Sequence, residues 1–360
     1  MYVVTNREIV PGASGLDQFG PKPNGKGPNE LRVTKVTKSA GGRYRVQILD
    51  DEIPQPEAAR LIQDHRLALD PEQQHYVSLK VAIDVTQRAR RKRSHVLFFV
   101  HGFNNDVGDV VGRAFYLQEH YGVEVIPFTW PANGGGVAGV ASYKSDKRDA
   151  RASTGALERT MKIMREHFVL ITAGLRREQY DRACARHPDN PEARDSLYSR
   201  LLEKACPFTF NALFHSMGNY LLKQMLKSSL CEGNELAFDN VLLVAADTNS
   251  LDHSLWVDRI RFRKRLFVTI NENDYALAAS RAKLGSNQLA RLGHYLRGLN
   301  AINAHYVNVT SASWVKSSHG YFAEPAERND DLKAFFQRAF SGQAAEEGLK
   351  FRAQGNWYEL

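Results

Sequence analysis

The chain has 360 residues, of which 43% are hydrophobic and 24% are charged, as in ordinary globular proteins. No apolar run approaches the ~20 residues that a membrane-spanning helix needs. The first residues lack the basic and apolar pattern of a signal peptide, so we expect a cytoplasmic protein. Cys184, Cys206 and Cys231 are too few and too dispersed for a disulfide framework, and we expect reduced thiols.

The net charge bears on the class of partner. A charge of +8 and a pI near 9.3 favour approach to anionic surfaces, and peripheral contact with an anionic membrane is kept as a hypothesis. The basic residues form local clusters without a nucleic-acid-binding motif, so nucleic acid is not an expected partner. The sequence leaves the oligomeric state undetermined.

Residues 1–93 are interpreted as an N-terminal extension that packs on the main domain. The apolar residues at 2–5 favour a strand, and the glycine- and proline-rich run at 11–28 favours a loop. Apolar alternation over 31–36 and 44–49, with a Gly-Gly pair between, predicts a β-hairpin. No chemistry is assigned to this hairpin or to the loop before it.

A helix is predicted to follow, from Asp70 to the basic run at 88–93. Asp70-Pro71-Glu72 has the cap residue, proline and acidic residue typical of a helix start, and basic residues suit a helix end. The apolar residues from Val77 to Val85 instead alternate as in a strand. The basic run is also a candidate lipid-docking patch.

From Val96 onward strands and helices alternate, which predicts a mostly parallel sheet with helices on both faces. Asn105 or Asp106 is expected to cap the helix that follows the first of these strands. We place the main domain at 94–341 and a C-terminal tail at 342–360. The predicted strands cover residues 96–100, 123–130, 210–213, 240–246, 266–270 and 305–309, and a helix over 331–340 closes the domain.

Residues 131–207 are too long for a single crossover helix, so we predict an insertion there. The glycine run at 131–136 lacks a phosphate-loop signature and is interpreted as a loop at the rim of a pocket. Ser153 is a candidate cap for one helix, and a second helix is predicted over 192–204. A lid over an active site and extra packing on one sheet face both fit this insertion.

The strongest motif is His-Ser-Met-Gly at 215–218, directly after a predicted strand. This is the core of a nucleophile elbow, which exposes a serine hydroxyl at a sharp strand-to-helix turn. Asp274 and His319 each follow a later strand, at the sheet edge where working residues collect. We predict that Ser216 is the nucleophile, that His319 is its base and that Asp274 orients His319. The order Ser, Asp, His is that of α/β-hydrolases.

A tetrahedral oxyanion needs preorganised donors, and two backbone N–H groups are candidates. Met217 follows the nucleophile, and Phe103 lies in the His-Gly-Phe turn after the first strand of the main domain. The candidate pocket-lining residues are His101, Gly102, Trp130 and His215, with core packing as the alternative for Trp130 and His215.

Alternatives to these assignments remain at the sequence level. Asp247 follows the strand before that of Asp274 and is the alternative acid. His294 and His305 compete with His319, but the first lies in an arginine-rich segment and the second at a strand start. No His, Cys, Asp or Glu cluster has metal-ligand spacing, so we expect no metal and no cofactor.

Six ordered motifs together resemble a bacterial group of α/β-hydrolases of unassigned function. They span residues 96–322 and read His-Gly-Phe-Asn-Asn (101–105), Thr-Trp-Pro (129–131), Tyr143 with Asp-Ala-Arg-Ala-Ser (149–153), His-Ser-Met-Gly-Asn (215–219), Asn-Asp-Tyr-Ala-Leu (273–277) and His-Gly-Tyr-Phe (319–322). The resemblance implies a serine-hydrolase fold with Ser216, Asp274 and His319 as the triad, and it implies no substrate. One departure is Phe214, which occupies the first position of the elbow motif, where a small residue is usual.

The sequence therefore predicts a serine hydrolase that cleaves a carboxylic ester, either a small molecule or a lipid, through an acyl-enzyme. Amides and thioesters use the same chemistry and remain alternatives. Two other hypotheses are a catalytically weak scaffold that binds a partner, motivated by Phe214, and a membrane-directed lipase effector.

Overall fold

An eleven-stranded sheet forms the centre of the structure, a computed structural model that describes residues 1–132, 143–205, 208–227, 237–281 and 290–360. The strands are β1 Tyr2–Thr5, β2 Arg7–Ile9, β3 Phe19–Pro23, β4 Arg32–Lys38, β5 Tyr44–Ile48, β6 Val96–Val100, β7 Glu124–Thr129, β8 Phe210–His215, β9 Phe238–Val244, β10 Phe262–Ile270, β11 His305–Asn308, β12 Lys350–Arg352 and β13 Trp357–Glu359. The helices are α1 Gln55–Asp64, α2 Val77–Lys92, α3 Val107–Tyr121, α4 Tyr143–Ala152, α5 Thr154–Arg186, α6 Pro191–Ala205, α7 Met217–Lys227, α8 Ser254–Val257, α9 Tyr275–Arg281, α10 Glu324–Glu327 and α11 Asp330–Phe340.

The strand order is β12-β13-β11-β10-β9-β8-β6-β7-β1-β4-β5. All neighbours from β13 to β1 pair in parallel, whereas β12, β4 and β5 pair antiparallel at the two edges. Strands β2 and β3 form a separate two-stranded sheet. The predicted parallel sheet is confirmed, and its central strands place the ends of β6, β8 and β9 side by side.

Helices cover both faces of the sheet, which is why its central strands are continuously apolar. On one face, Phe98 and Phe214 pack with residues of α2, α5 and α7. On the other face, Phe99 and Leu213 pack with residues of α3 and α11. The alternation of side chains along each strand assigns successive residues to opposite faces.

The helix start predicted at Asp70 is wrong, and the helix in question is α2. It begins at Val77, because the Asp70 side chain accepts a hydrogen bond from the Glu72 N–H at 2.9 Å and closes a turn instead of capping a helix. Apolar residues alternate along this segment because α2 is a helix that is buried on two sides. Its Val81, Val85 and Ala89 face the sheet, whereas Leu79 and Ile83 face α1 and α5.

The N-terminal extension is part of the main sheet. Strand β1 lies between β7 and β4, and the predicted hairpin forms as β4 and β5. The run predicted as a loop at 11–28 contains strand β3 and a short 3-10 helix, so that prediction was wrong in part. The C-terminal tail, which carried no prediction, forms the hairpin β12–β13 and adds a parallel strand beside β11.

The insertion contains the helices α4, α5 and α6, and α5 is 33 residues long. Ser153 precedes α5 but does not cap it, because its hydroxyl donates to the Asp149 carbonyl at 2.8 Å. Most of the predicted rim loop, together with Cys206 and Cys231, lies outside the described residues, and Cys184 is a free, half-buried thiol. No helix in the described ranges has the length and apolar character to cross a membrane.

Helix α3 begins with a reciprocal capping box. The Asp106 carboxylate accepts from the Asp109 N–H at 2.8 Å, and the Asp109 carboxylate accepts from the Asp106 N–H at 3.1 Å. Asp106, rather than Asn105, is therefore the cap. This cap fixes the helix that follows the His-Gly-Phe turn.

Asp106→Ala is expected to lower the free energy of unfolding by about 1 kcal/mol, because the Asp109 N–H loses its acceptor. Urea denaturation at pH 7 measures this loss. Glu119→Ala, an exposed change in the last turn of the same helix, is the matched control and is expected to stay within about 0.5 kcal/mol. Equal losses for both variants would contradict the capping role.

Candidate active site

Ser216 lies in the turn between β8 and α7, as the elbow motif predicts. Its φ of 54° is in the left-handed region, which is strained for a residue with a side chain. The Ser216 N–H donates to the Val244 carbonyl at 3.0 Å, so the neighbouring strand β9 holds the strained turn in place. The serine is buried, with 5% of its surface exposed.

Asn219 is a second support for the elbow. Its side-chain amide nitrogen donates to the carbonyls of Phe214, Ser216 and Val244 at 2.9, 3.2 and 3.2 Å. One fully buried side chain therefore joins the strand before the serine, the turn itself and the adjacent strand. The sequence motif contained Asn219, but its contacts depend on β9 and could not be read from the motif.

Two glycines allow the backbone segments around Ser216 to approach each other. A Cβ on Gly218 would lie 2.8 Å from the carbonyl oxygens of Val100 and His101. A Cβ on Gly102 would lie 2.6 Å from the Ser216 Cβ and 3.1 Å from its Oγ. The His-Gly-Phe turn therefore lies directly against the serine side chain.

Phe214 is accommodated within the sheet face that α7 covers. Its ring is 1% exposed and packs edge-on against Phe98, with ring centroids 6.4 Å apart. The large residue fills core volume on that face, and the elbow keeps its left-handed serine. The departure from the small-residue motif therefore does not prevent the turn from forming.

The structure brings Asp274 and His319 together. His319 Nδ1 donates to Asp274 Oδ2 at 2.7 Å, and Asp274 is completely buried. The other carboxylate oxygen accepts from the N–H groups of Ala276 and Leu277 at the start of α9, at 2.9 and 3.0 Å. Asp274 therefore has a fixed orientation and presents one oxygen to the imidazole.

His215 holds the His319 loop against the elbow. Its Nε2 donates to the His319 carbonyl at 3.0 Å, and the two rings lie 4.7 Å apart between centroids. Burial, with a further contribution from His319, lowers the pKa of His215 well below its ordinary value, so this donor is a neutral imidazole. In the described residues, Ser216 Oγ and His319 share no hydrogen bond.

The alternative acid, Asp247, has other partners. Its carboxylate accepts from Tyr143 at 2.9 Å and from Ser280 at 2.8 Å, and it pairs with Arg291 at 3.1 Å. None of these contacts includes His319. Asp247 still lies close to the serine, because its N–H donates to the Ser216 carbonyl at 3.3 Å.

His101 and Trp130, predicted as candidate pocket-lining residues, are both fully buried. The Trp130 N–H donates to His101 Nε2, the Trp130 indole donates to the His101 carbonyl, both at 3.1 Å, and the rings stack 5.1 Å apart. His101 Nδ1 donates to the Gly102 carbonyl at 2.8 Å. Both side chains therefore support the turn from the core and present no surface to a pocket.

Two buried residues near the site carried no prediction. The Tyr321 hydroxyl accepts from the Ala245 N–H at 3.1 Å, where the chain leaves β9 with a φ of 47°. The Arg7 guanidinium, 2% exposed, donates to the carbonyls of Asn105 and Ala132 at 3.5 and 3.0 Å. Both side chains fix loops at the carboxyl edge of the sheet through contacts that are distant in sequence.

The candidate oxyanion donors lie on both sides of the serine. Met217 is the first residue of α7, where helix N–H groups have no intrahelical partner. Phe103 follows Gly102, whose backbone contacts the serine side chain, and its ring packs edge-on against Tyr143 at 5.3 Å. The described residues contain no group of three or more His, Cys, Asp or Glu side chains able to hold a metal ion.

Neither competing histidine forms a hydrogen bond with Asp274 in the described part of the chain. His305 begins β11 and packs against Phe267 and Tyr358. His294 belongs to a short 3-10 helix, where the charge of the Asp274 carboxylate acts on its ring.

A parallel sheet covered on both faces, with a strained serine after a central strand and a buried Asp–His pair at the same edge, defines the α/β-hydrolase class. The chain belongs to the family described as alpha/beta hydrolase of unknown function (DUF900), whose model matches residues 80–171 and 190–326, more than half of the chain. No curated protein and no solved structure matches the chain. The family resemblance predicted from the sequence motifs is confirmed.

His101 gives a pH-dependent contribution to stability. Burial, followed by nearby Arg7, lowers the pKa of His101 to about 3 in the folded protein. In the unfolded chain the same group takes up a proton near pH 6.5, so stability falls as the pH drops below that value. The expected loss between pH 7 and pH 5 is about 2 kcal/mol.

Urea denaturation of the wild type and of His101→Gln at pH 7 and pH 5 measures this contribution. We expect the wild type to lose about 2 kcal/mol more than the variant over this range. His215 contributes to both proteins, so its effect cancels in the comparison. An identical pH dependence for the two proteins would show that His101 is not buried in its neutral form.

Proposed function

We propose that the protein is a serine hydrolase that cleaves a carboxylic ester through an acyl-enzyme on Ser216. The observation that carries this proposal is the 2.7 Å bond between His319 Nδ1 and the buried Asp274, beside a serine in a left-handed elbow. An imidazole whose Nδ1–H is bonded to a carboxylate has its Nε2 available as a base. Ester cleavage is preferred over amide or thioester cleavage as the simplest reaction for this set of groups.

In the proposed first step, His319 Nε2 takes the proton of Ser216 Oγ as the oxygen attacks the ester carbonyl. The negative charge that forms on the carbonyl oxygen is stabilised by the N–H groups of Met217 and Phe103. The imidazolium, stabilised by Asp274, then gives its proton to the leaving alcohol. Water activated by His319 hydrolyses the acyl-enzyme and frees Ser216.

The cytoplasmic location predicted from the sequence stays a prediction.

Labelling with a fluorophosphonate probe tests the nucleophile. We expect the wild type to be labelled stoichiometrically, because an activated serine forms a stable covalent adduct with the phosphorus. Ser216→Ala is expected to take no label, and Ser250→Ala, another buried serine, is the matched control that keeps its label. An unlabelled wild type, or equal labelling of Ser216→Ala, would instead favour the non-catalytic scaffold hypothesis.

Two aspartate variants test the choice of acid. Asp274→Asn is expected to lower kcat by about 10⁴-fold, because the amide no longer stabilises the productive imidazole tautomer. Asp247→Asn is expected to affect stability more than kcat, because it removes the carboxylate that pairs with the buried Arg291 cation.

The measurements are kcat with a p-nitrophenyl ester and the urea midpoint of each variant. A larger loss of kcat in folded Asp247→Asn than in Asp274→Asn would contradict the assignment of Asp274 as the triad acid.

A further inference from the structure

Helix α4, in the insertion, extends from the oxyanion turn along α7. Tyr143, Lys147 and Arg151 are spaced four residues apart and therefore share one face of this helix. At its start, the Tyr143 hydroxyl donates to Asp247, and its ring packs against Phe103. This face of α4 thus begins beside the candidate oxyanion donors.

Further along α4, two cations surround the ring of Tyr220. Lys147 Nζ lies 4.9 Å from the ring centroid, and Arg151 Nε donates to the Tyr220 hydroxyl. Tyr220 is the fourth residue of α7, one turn after Ser216. Helical side chains lean towards the helix N-terminus, so the Tyr220 side chain points back along α7 towards the turn that carries the serine.

A third cation completes this cluster, which we call the basic cluster (Lys147, Arg151 and Lys223). Lys223 lies one turn after Tyr220 on α7, with its Nζ 5.9 Å from the Trp256 ring. Burial is the main cause of the lowered pKa values of Lys147 and Lys223. Neighbouring cations lower both pKa values further, and the charges of Asp247 and Asp252 offset part of this effect. Lys147 and Lys223 are therefore partly desolvated cations, whereas Arg151 is exposed.

Within the described residues, no member of the basic cluster forms an ion pair with a carboxylate. The nearby Asp247 is already bonded to Arg291, Tyr143 and Ser280. By contrast, the half-buried Arg88 pairs with two carboxylates, those of Asp84 and Glu124. An anion from outside the chain would relieve the mutual repulsion of the three cations and add charge-assisted hydrogen bonds.

We propose that the basic cluster is an anion subsite and that the preferred substrates are soluble esters carrying a carboxylate or phosphate-like group. This inference rests on the proposed function, because it places the anion on the substrate of Ser216. The ammonium of Lys147 and the guanidinium of Arg151 bind the anionic group, and Tyr220 fixes the position of Arg151. The positive end of the α7 dipole adds to the attraction.

Matched esters test the subsite. The p-nitrophenyl ester of glutaric acid, which keeps one free carboxylate, is compared with the same compound as its methyl ester. A second pair replaces the carboxylate with a phosphonate. We expect kcat/KM for at least one anionic ester to exceed that of its neutral partner by about 10-fold at low salt, and this ratio to fall in 1 M NaCl. The pair with the larger ratio identifies the preferred anion.

Single variants test whether the basic cluster causes the preference for the anionic ester. Lys147→Met and Arg151→Met are each expected to lower the anionic-to-neutral ratio by about 3- to 10-fold, and Lys147→Arg is expected to retain it. Arg148→Gln, which removes an exposed cation from the same helix, is the matched control and leaves the ratio unchanged. Ratios near one for both wild-type pairs, or equal effects of Arg148→Gln and Lys147→Met, would overturn the proposal.

The neutral ester tests the proposed function separately, because its hydrolysis does not depend on substrate charge. We expect the wild type to hydrolyse it and Ser216→Ala not to. If neither ester is hydrolysed but Ser216 is labelled, two fluorophosphonate probes replace the esters, one ending in a methyl group and the other in a carboxylate. Their labelling rates then give the anionic-to-neutral ratio. Equal labelling rates would refute the anion subsite, and the absence of any labelling would refute both proposals.

Discussion

The left-handed conformation of Ser216 is the constraint on which the rest of the site depends. A strained φ persists only where surrounding contacts hold it, and here β9 accepts the serine N–H while Asn219 bonds three carbonyls around the turn. Gly102 and Gly218 remove the side chains that would otherwise keep the neighbouring segments apart. The elbow is thus a product of three adjacent strand ends.

The parallel order of the sheet then determines which loops can reach the serine. Because β10 and β11 run in the same direction as β8 and β9, their following loops emerge at the same edge. His215 connects the His319 loop to the elbow, and Tyr321 connects the same loop to the end of β9. The residues around His319 are therefore fixed by contacts from both sides.

The two buried aspartates near the serine have different roles because their hydrogen-bond partners differ. Asp274 accepts two helix N–H groups and one imidazole N–H, which suits a carboxylate that orients a base. Asp247 is neutralised by Arg291 and connects α4 with the end of β9. Helix α4 thereby connects the insertion to the end of β9 and positions Lys147 and Arg151 around Tyr220, one turn after the serine.

The sequence by itself determined the central strands, the elbow and the positions of Ser216, Asp274 and His319, because these signals are local: apolar runs, strand ends and a short turn motif. It could not choose between Asp247 and Asp274 from residue order alone, and only the tertiary structure pairs Asp274 with His319. The tertiary structure also moved the start of α2 to Val77 and placed β1 and β13 in the main sheet. Those outcomes, like the basic cluster around Tyr220, depend on contacts between segments far apart in sequence, which no local pattern encodes.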